Sequence, residues 1–215
     1  MSTQTPFVIT ISRQFGSGGA FLGQRIAARL HIYYVDREII GKAAEIIHPP
    51  EDNKKAMSKS SINRLESLLK SFEHTEPRSC CKPLADLPPP DDESYVMEAP
   101  IVTWIAQHWH SVIVGRGGYH LLRHNPRHLA VYIHADMDFR LERIQSIYGV
   151  SPAQALKLIE ASDRDRKLFI YNTTGSTWEN TQQYHLSIDT SALGFTLPEE
   201  MILDSMLARL ENSLD

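Results

Sequence analysis

The sequence predicts an α/β fold in which five parallel strands form one sheet with helices on both faces. Three observations lead to this prediction. Short, apolar, β-branched runs recur along the 215 residues, and segments with helical spacing of apolar residues separate them. The third observation is the glycine-rich turn ISRQFGSGGA at 11–20, which joins the first apolar run to the first helical segment. In such folds, ligands bind at the carboxyl ends of the strands.

The first two strands and helices are predicted within the first 47 residues. The run FVITI at 7–11 is apolar and β-branched, as buried parallel strands are. Apolar residues then recur at four-residue spacing over 20–30, which indicates an amphipathic helix. HIYYV at 31–35 predicts the second strand, and the following helix over 38–47 ends before a pair of prolines.

Residues 48–95 differ in composition from the rest of the chain. They are rich in Lys, Ser, Asp, Glu and Pro, with one helical segment near 62–72. Segments of this composition bury little apolar surface. We therefore predict an inserted lobe or mobile segment here, outside the core.

Regular structure is predicted to resume after this segment. The apolar runs that predict strands lie at 111–114, 129–134 and 184–188. Capping boxes, SPAQ at 151–154 and TLPE at 196–199, mark the starts of two helices. The predicted helices cover 96–108, 136–148, 151–171 and the segment from 196 onward. No internal repeat is present.

Composition excludes several classes of function. The formal net charge of -4 gives no basic field for nucleic acid or an anionic membrane. No apolar run approaches 18 residues, and the short polar start is unlike a secretory signal. We expect a cytoplasmic protein, monomeric or homodimeric, with the adjacent Cys80 and Cys81 as reduced thiols. The histidines between 108 and 128 lack partners at ligand spacing, so no metal site is predicted.

The turn at 11–20 matches only part of the phosphate-loop pattern G-x-x-x-x-G-K-[ST]. Arg13 stands at the first glycine, Gly19 at the lysine and Ala20 at the Ser/Thr position. What remains is the backbone: Gly16, Gly18 and Gly19 permit positive φ, and the next helix directs its positive dipole end at the loop. The turn predicts an anion site, with a ligand-free glycine turn as the alternative.

The wider pattern resembles the cytidylate kinase-like family of P-loop proteins. The likeness rests on six segments in order: ITISRQFGSGG at 9–19, YYVDREI at 33–39, VIVGRGG at 112–118, a strand and R-x-E-R-I at 131–144, DRDRKLFIY at 163–171, and LSIDTSALG at 186–194. The resemblance implies one three-layer P-loop NTPase domain over 1–215. It also implies an acceptor-side lobe at 48–95 and a lid-like helical region at 151–175.

The resemblance also implies roles for individual residues. Backbone groups of Gly16, Ser17, Gly18 and Gly19 would hold the phosphates of ATP, which is used with Mg²⁺. Arg37, Arg116 and Asp163 would contact the acceptor, and the catalytic set would be Arg13, Asp36, Arg164 and Arg166. Cytidylate kinases carry Asp-Gly-Arg-Asp where this chain has VGRG at 114–117, so Arg116 matches and its acidic neighbours do not.

Alternatives remain open at several of these positions. Arg13 is either a phosphate clamp or a partner of Asp36. Asp36 is a water-mediated Mg²⁺ contact, a general base, or the cap of the next helix. Arg164 and Arg166 either close on phosphates or form solvated pairs with neighbouring acids. The predicted function is phosphoryl transfer to a nucleoside monophosphate, first CMP or dCMP; the alternatives are a small-molecule hydroxyl kinase and a non-catalytic nucleotide-binding regulator.

Overall fold

The computed structural model describes residues 5–47, 58–73 and 92–212. All five strands of the described chain lie in one parallel sheet, in the order β2-β3-β1-β4-β5. The strands are β1 (Val8–Arg13), β2 (Tyr33–Val35), β3 (Ser111–Val114), β4 (His128–His134) and β5 (Leu186–Asp189). This order places β1 at the centre, so the turn that follows it lies in the middle of the carboxyl edge.

Helices cover both faces of the sheet. They are α1 (Gly19–Leu30), α2 (Arg37–Ile47), α3 (Lys59–Glu73), α4 (Asp92–His108), α5 (Gly118–Leu121), α6 (Met137–Tyr148), α7 (Pro152–Thr174), α8 (Thr190–Leu193) and α9 (Thr196–Glu211). Alternate residues of the strands face opposite layers. Val8 and Ile113 pack with α2, α3 and α4, whereas Ile9 and Val112 pack with α1 and α9. The three-layer α/β arrangement thus follows from the strand periodicity.

Two strands begin later than predicted because the preceding turns use the first residues. His31 ends α1 in the left-handed region, with φ 52°, and β2 begins only at Tyr33. Tyr184 closes the 3₁₀ turn Thr181–Gln183, and β5 begins at Leu186. Both shifts leave the order of elements unchanged.

One of the two predicted capping boxes is confirmed and the other is wrong. Ser151 Oγ accepts from the Gln154 N–H while Gln154 Oε1 accepts from the Ser151 N–H. The box at 196–199 does not form: α9 begins at Thr196, preceded by Phe195 with no side-chain cap. Glu199 is buried and pairs with Arg25 of α1 at 2.6 Å instead. The Glu199 carboxylate, which the capping box would use, is therefore engaged in an ion pair with another helix.

Within the predicted lobe at 48–95, α3 differs from the expectation of a segment outside the core. Its Leu65 and Leu69 are buried in the same cluster as α2 and α4. Residues 48–57 and 74–91, including Cys80 and Cys81, lie outside the described residues. Among the helices that the structure describes, none combines the length and apolarity needed to cross a membrane.

Candidate active site

The turn between β1 and α1 is a tight loop over residues 14–18. Gly16 and Gly18 adopt φ of 86° and 85°, a region that disfavours residues with a Cβ. Gly19 does not need this freedom, because it is the first residue of α1. Two of the three predicted glycines therefore shape the loop, and the third serves another purpose.

Hydrogen bonds to β4 and α8 fix the loop. The Ser17 hydroxyl, which is fully buried, donates to Gln14 O at 2.8 Å and to Ile133 O at 3.2 Å. Thr190 Oγ1 donates to Ser17 O at 2.7 Å. The Ser17 side chain therefore faces the protein interior and positions the loop, leaving only backbone groups to meet a ligand.

The N-terminus of α1 presents backbone donors at this loop. Gly18 is its N-cap and offers no side-chain acceptor, and the first turn carries no acidic residue. The first N–H groups of a helix have no intrahelical acceptor, and together with the helix dipole they favour an anion. These donors are the groups that the predicted anion site would use, and the site itself stays a prediction.

Asp163 of α7 joins the lid-like region to the loop. Its Oδ1 accepts from the Phe15 N–H at 2.8 Å and from Arg166 Nη1 at 3.3 Å. Its Oδ2 accepts from Arg140, whose Nε also donates to Phe15 O at 2.7 Å. The predicted acceptor role of Asp163 stays a prediction, since its carboxylate here holds the loop in position. Arg140 was missed: it lies in the R-x-E-R-I segment, which indicated a family likeness but no contact.

Four of the predicted arginines meet in one cleft at the carboxyl ends of β1 and β3. The cleft also contains two aromatic side chains, Phe169 and Trp178. The arginines that line it are Arg13, Arg37, Arg116 and Arg166. Arg164 is not among them: its side chain is 68% exposed and lies 3.8 Å from Asp165. Of the two lid arginines, the structure therefore places only Arg166 at the cleft.

Arg116 combines a strained backbone conformation with a buried ion pair. Its φ of 56° is left-handed, which is uncommon for a residue with a side chain. Its guanidinium pairs with Glu98 of α4 and stacks on the Phe169 ring at 4.6 Å. Glu98 was not predicted from the sequence, because no local pattern shows that α4 packs beside the end of β3. It supplies an acidic group beside Arg116 where the motif at 114–117 has none.

Tyr95 lies beside this pair. Its ring meets Phe169 edge-on at 5.5 Å, and burial raises the pKa of its hydroxyl, while the charge of Arg116 opposes that rise. The Tyr95 hydroxyl is therefore neutral near pH 7. It lies close to Gly117, where a Cβ would come within 3.6 Å of the hydroxyl oxygen.

Asp36 caps α2, which is one of its three predicted alternatives. Its Oδ1 accepts from the Ile39 N–H at 3.1 Å, and the residue is buried. It is not among the residues that line the cleft, whereas its neighbour Arg37 is. Among the ion pairs of the described residues, none joins Arg13 to Asp36. The catalytic role of Asp36 stays a prediction.

The opposite side of the loop is covered by an aromatic cluster. The Phe195 ring lies against Gly18, where a Cβ would come within 2.3 Å of it. Arg143 stacks on Phe195 at 4.7 Å and on Phe21 at 5.6 Å. Elsewhere in the described ranges, no group of three or more His, Cys, Asp or Glu side chains could hold a metal ion.

Comparisons with known proteins agree with this architecture. A sequence model described as the cytidylate kinase-like family matches residues 8–192. No protein with a curated description matches the chain.

Among solved structures, an uncharacterized protein from Eubacterium ventriosum is 19% identical, with a TM-score of 0.69 over 93% of this chain and 98% of that one. TT1252 from Thermus thermophilus is 15% identical, with a TM-score of 0.50 over 96% of this chain and 99% of that one. A shikimate kinase from Bacteroides thetaiotaomicron is 14% identical, with a TM-score of 0.49 over 95% of this chain and 98% of that one. At these identities the first two structures bear on the fold alone, and together with the five-stranded parallel sheet they confirm the predicted fold class.

Proposed function

The chain belongs to the cytidylate kinase-like family of P-loop proteins, and from this premise we propose that it transfers the γ-phosphoryl group of ATP to a nucleoside monophosphate. CMP and dCMP are the first acceptors to test. The observation that carries the proposal is the convergence of four arginines on one cleft beside the glycine loop. Two phosphate-bearing substrates need that concentration of positive charge, and planar guanidinium groups bind phosphate oxygens in pairs.

The loop and the N-terminus of α1 form the donor side. Backbone N–H groups from Gly16 to Gly19 hold the β- and γ-phosphates, and the buried Ser17 keeps the loop rigid. Arg166 reaches this side from α7: its Nη1 donates to Arg13 O at 3.0 Å. A movement of α7 is therefore expected to shift both the Arg166 guanidinium and the end of β1 from which the loop starts.

The end of β3 forms the acceptor side. Arg37 and Arg116 bind the acceptor phosphate, and the rings of Phe169 and Trp178 give the base an apolar surface. In the transfer, a phosphate oxygen of the acceptor attacks the γ-phosphorus and the bond to the β,γ-bridging oxygen breaks. ADP and a nucleoside diphosphate are the products. Catalysis consists of positioning and charge stabilisation.

The position of Asp36 favours a phosphate acceptor over a hydroxyl acceptor. An acceptor phosphate is already an anionic nucleophile and needs no general base, whereas a hydroxyl benefits from one. The Asp36 carboxylate accepts the Ile39 N–H as a helix cap. A hydroxyl kinase would have to use a carboxylate that already stabilises α2.

The described carboxylates near the cleft do not fit a site for Mg²⁺ made by the protein alone. Glu98 pairs with Arg116, Asp163 pairs with Arg140 and Arg166, and Ala20 stands at the hydroxyl position of the loop. Mg²⁺ commonly keeps several waters and binds substrate phosphates. We therefore assign no protein ligand to the ion that accompanies ATP.

The test is transfer of label from γ-labelled ATP, with Mg²⁺, to a panel of nucleotides, nucleosides and metabolite alcohols. Asp36→Asn retains an oxygen that caps α2 but cannot act as a base. We expect label on CMP or dCMP, near-wild-type transfer in Asp36→Asn, and a loss of transfer in Arg37→Ala. Arg64→Ala, an exposed arginine on α3, is the matched control.

Two results would overturn the proposal. Label on an alcohol, abolished by Asp36→Asn, would establish the hydroxyl kinase. ATP binding without transfer to any acceptor would establish a non-catalytic nucleotide-binding protein. The cytoplasmic location, the small-molecule partners and the monomeric or dimeric state remain predictions, to be checked by fractionation and by light scattering.

A further inference from the structure

Two of the three departures from the phosphate-loop pattern, those at residues 13 and 19, are reciprocal, and the third is Ala20. Over residues 13–19, G-x-x-x-x-G-K has glycine first and lysine seventh, whereas this chain reads RQFGSGG, with a cation first and glycine seventh. Each difference taken alone removes a residue that the pattern requires. The two differences are related, however, because residues 13 and 19 lie next to each other in space.

Residues 13 and 19 touch each other across the loop. A Cβ built on Gly19 would lie 2.6 Å from Arg13 Cβ and 3.1 Å from Arg13 Cγ. Real Cβ atoms essentially never approach another carbon so closely, and the Arg13 stem cannot swing away at its Cβ. Only one of the two positions can therefore carry a side chain. Gly19 is the residue that the Arg13 side chain requires.

The Arg13 side chain then runs from the loop into the arginine cleft. At its far end Nη1 lies against Gly115, where a Cβ would come within 2.3 Å. Arg13 therefore passes between two glycines, and a side chain at either would displace it. Its backbone is held as well, since Arg166 donates to Arg13 O at 3.0 Å.

Arg13 differs from two neighbouring arginines in its charge balance. Arg116 is paired with Glu98, and Arg166 with Asp163. The hydrogen bonds and ion pairs recorded among the described residues include none made by the Arg13 guanidinium. An arginine that lines a cleft without a carboxylate beside it has its donors available for an anion.

We propose that Arg13 and Gly19 are an exchanged pair, in which Arg13 carries the charge that a lysine at position 19 supplies in a complete phosphate loop. Its guanidinium contacts the β- and γ-phosphate oxygens of the bound nucleotide, which makes Arg13 a catalytic residue. The catalytic part rests on the proposed phosphoryl transfer; the anion contact does not. A guanidinium keeps its charge at every pH of interest, so the exchange loses no cation.

The test compares four variants with the wild-type chain. Arg13→Ala removes the charge, with Arg64→Ala on the exposed face of α3 as the matched control. Gly19→Lys adds the lysine against Arg13, and the double variant Arg13→Gly/Gly19→Lys restores the pattern at residues 13 and 19 while removing the Cβ that blocks the lysine. The dissociation constants of ATP with Mg²⁺ and of tripolyphosphate are measured by calorimetry, with transfer of label in parallel.

We expect Arg13→Ala to weaken both ligands by about 10- to 100-fold, the value of a charge-assisted contact. Gly19→Lys should lower the melting temperature and weaken ATP. The double variant should bind ATP within about fivefold of wild type, because the cation returns from the other side of the loop. Arg64→Ala should bind as wild type does.

Two outcomes overturn the inference. In the first, Arg13→Ala binds tripolyphosphate within about twofold of Arg64→Ala, a difference too small for a lost charged contact. In the second, the folded double variant binds ATP no better than Arg13→Ala. A wild-type chain that binds ATP but transfers no label overturns the proposed function alone, and the binding constants still decide the role of Arg13.

Discussion

The buried pair of Arg116 and Glu98 gives the sharpest prediction about stability. Only 5% of Arg116 and 6% of Glu98 is exposed, so their charges interact with little solvent screening. Glu98→Gln keeps the volume of the side chain and removes its charge. Taking away one partner of a buried ion pair costs about 3–5 kcal/mol. Because the amide still accepts a hydrogen bond and Phe169 still contacts the guanidinium at 4.6 Å, we expect about 2–3 kcal/mol.

Urea unfolding of a double-mutant cycle measures this value. Arg116→Met removes the cation with little change in stem length, and Glu98→Gln/Arg116→Met removes both charges. The double variant should be destabilised by about 2 kcal/mol less than the sum of the singles, since neither charge is then left buried alone. An additive cycle, or a cost below about 0.5 kcal/mol for Glu98→Gln, would refute the buried-pair reasoning.

The same substitution probes the acceptor side. Glu98→Gln leaves the charge of Arg116 in place and removes the carboxylate that competes for it. If Arg116 meets the acceptor phosphate, the dissociation constant of CMP should fall in Glu98→Gln and rise in Arg116→Met. An unchanged constant in both would exclude Arg116 from the acceptor site while leaving the stability result intact.

Three further predictions concern the loop and the base of the sheet. Gly18→Ala should lower the free energy of unfolding by about 2–4 kcal/mol in thermal unfolding, because the added Cβ is strained at a positive φ and would come within 2.3 Å of the Phe195 ring. In a Phe195→Ala background the clash is absent, so Gly18→Ala should then cost only the backbone strain. Asp163→Asn should weaken ATP more than CMP in binding assays, because Asp163 accepts the Phe15 N–H of the donor loop; the reverse order would restore its predicted acceptor role. Burial lowers the pKa of His128 to about 3, so the unfolded chain binds its proton first, and stability should fall as pH drops from about 6.5 towards 3. His128→Gln should flatten that part of the curve in urea titrations.

The order of strands and helices could be predicted because it depends on local periodicity. Each strand is a short apolar run, and each long helix has a stripe of apolar residues at helical spacing. The one-turn helices α5 and α8 were missed because four residues are too few to show a period. The false capping box at 196–199 failed for the opposite reason: its pattern was present, but Glu199 pairs with Arg25.

The candidate site could be predicted where its residues follow strand ends. Arg13 and Arg116 stand at the carboxyl ends of β1 and β3, which pair directly, so the topology brings them together. Glu98 and Arg140 reach the site only through helix packing, which no local pattern encodes. Arg164 and Arg166 are two residues apart on α7, and the sequence does not say which one faces the cleft.

The loop and the cleft form one electrostatic unit. Asp163 ties the loop to α7, Arg166 ties α7 to the end of β1, and Arg13 runs from that end to Gly115 after β3. A nucleotide phosphate at the loop and an acceptor phosphate at β3 would therefore both lie close to the Arg13 side chain. Because Arg116 and Arg166 face carboxylates, the cleft carries less net charge than its arginine count suggests. No carboxylate of the described residues pairs with Arg13, so anion affinity should depend more on Arg13 than on Arg116 or Arg166.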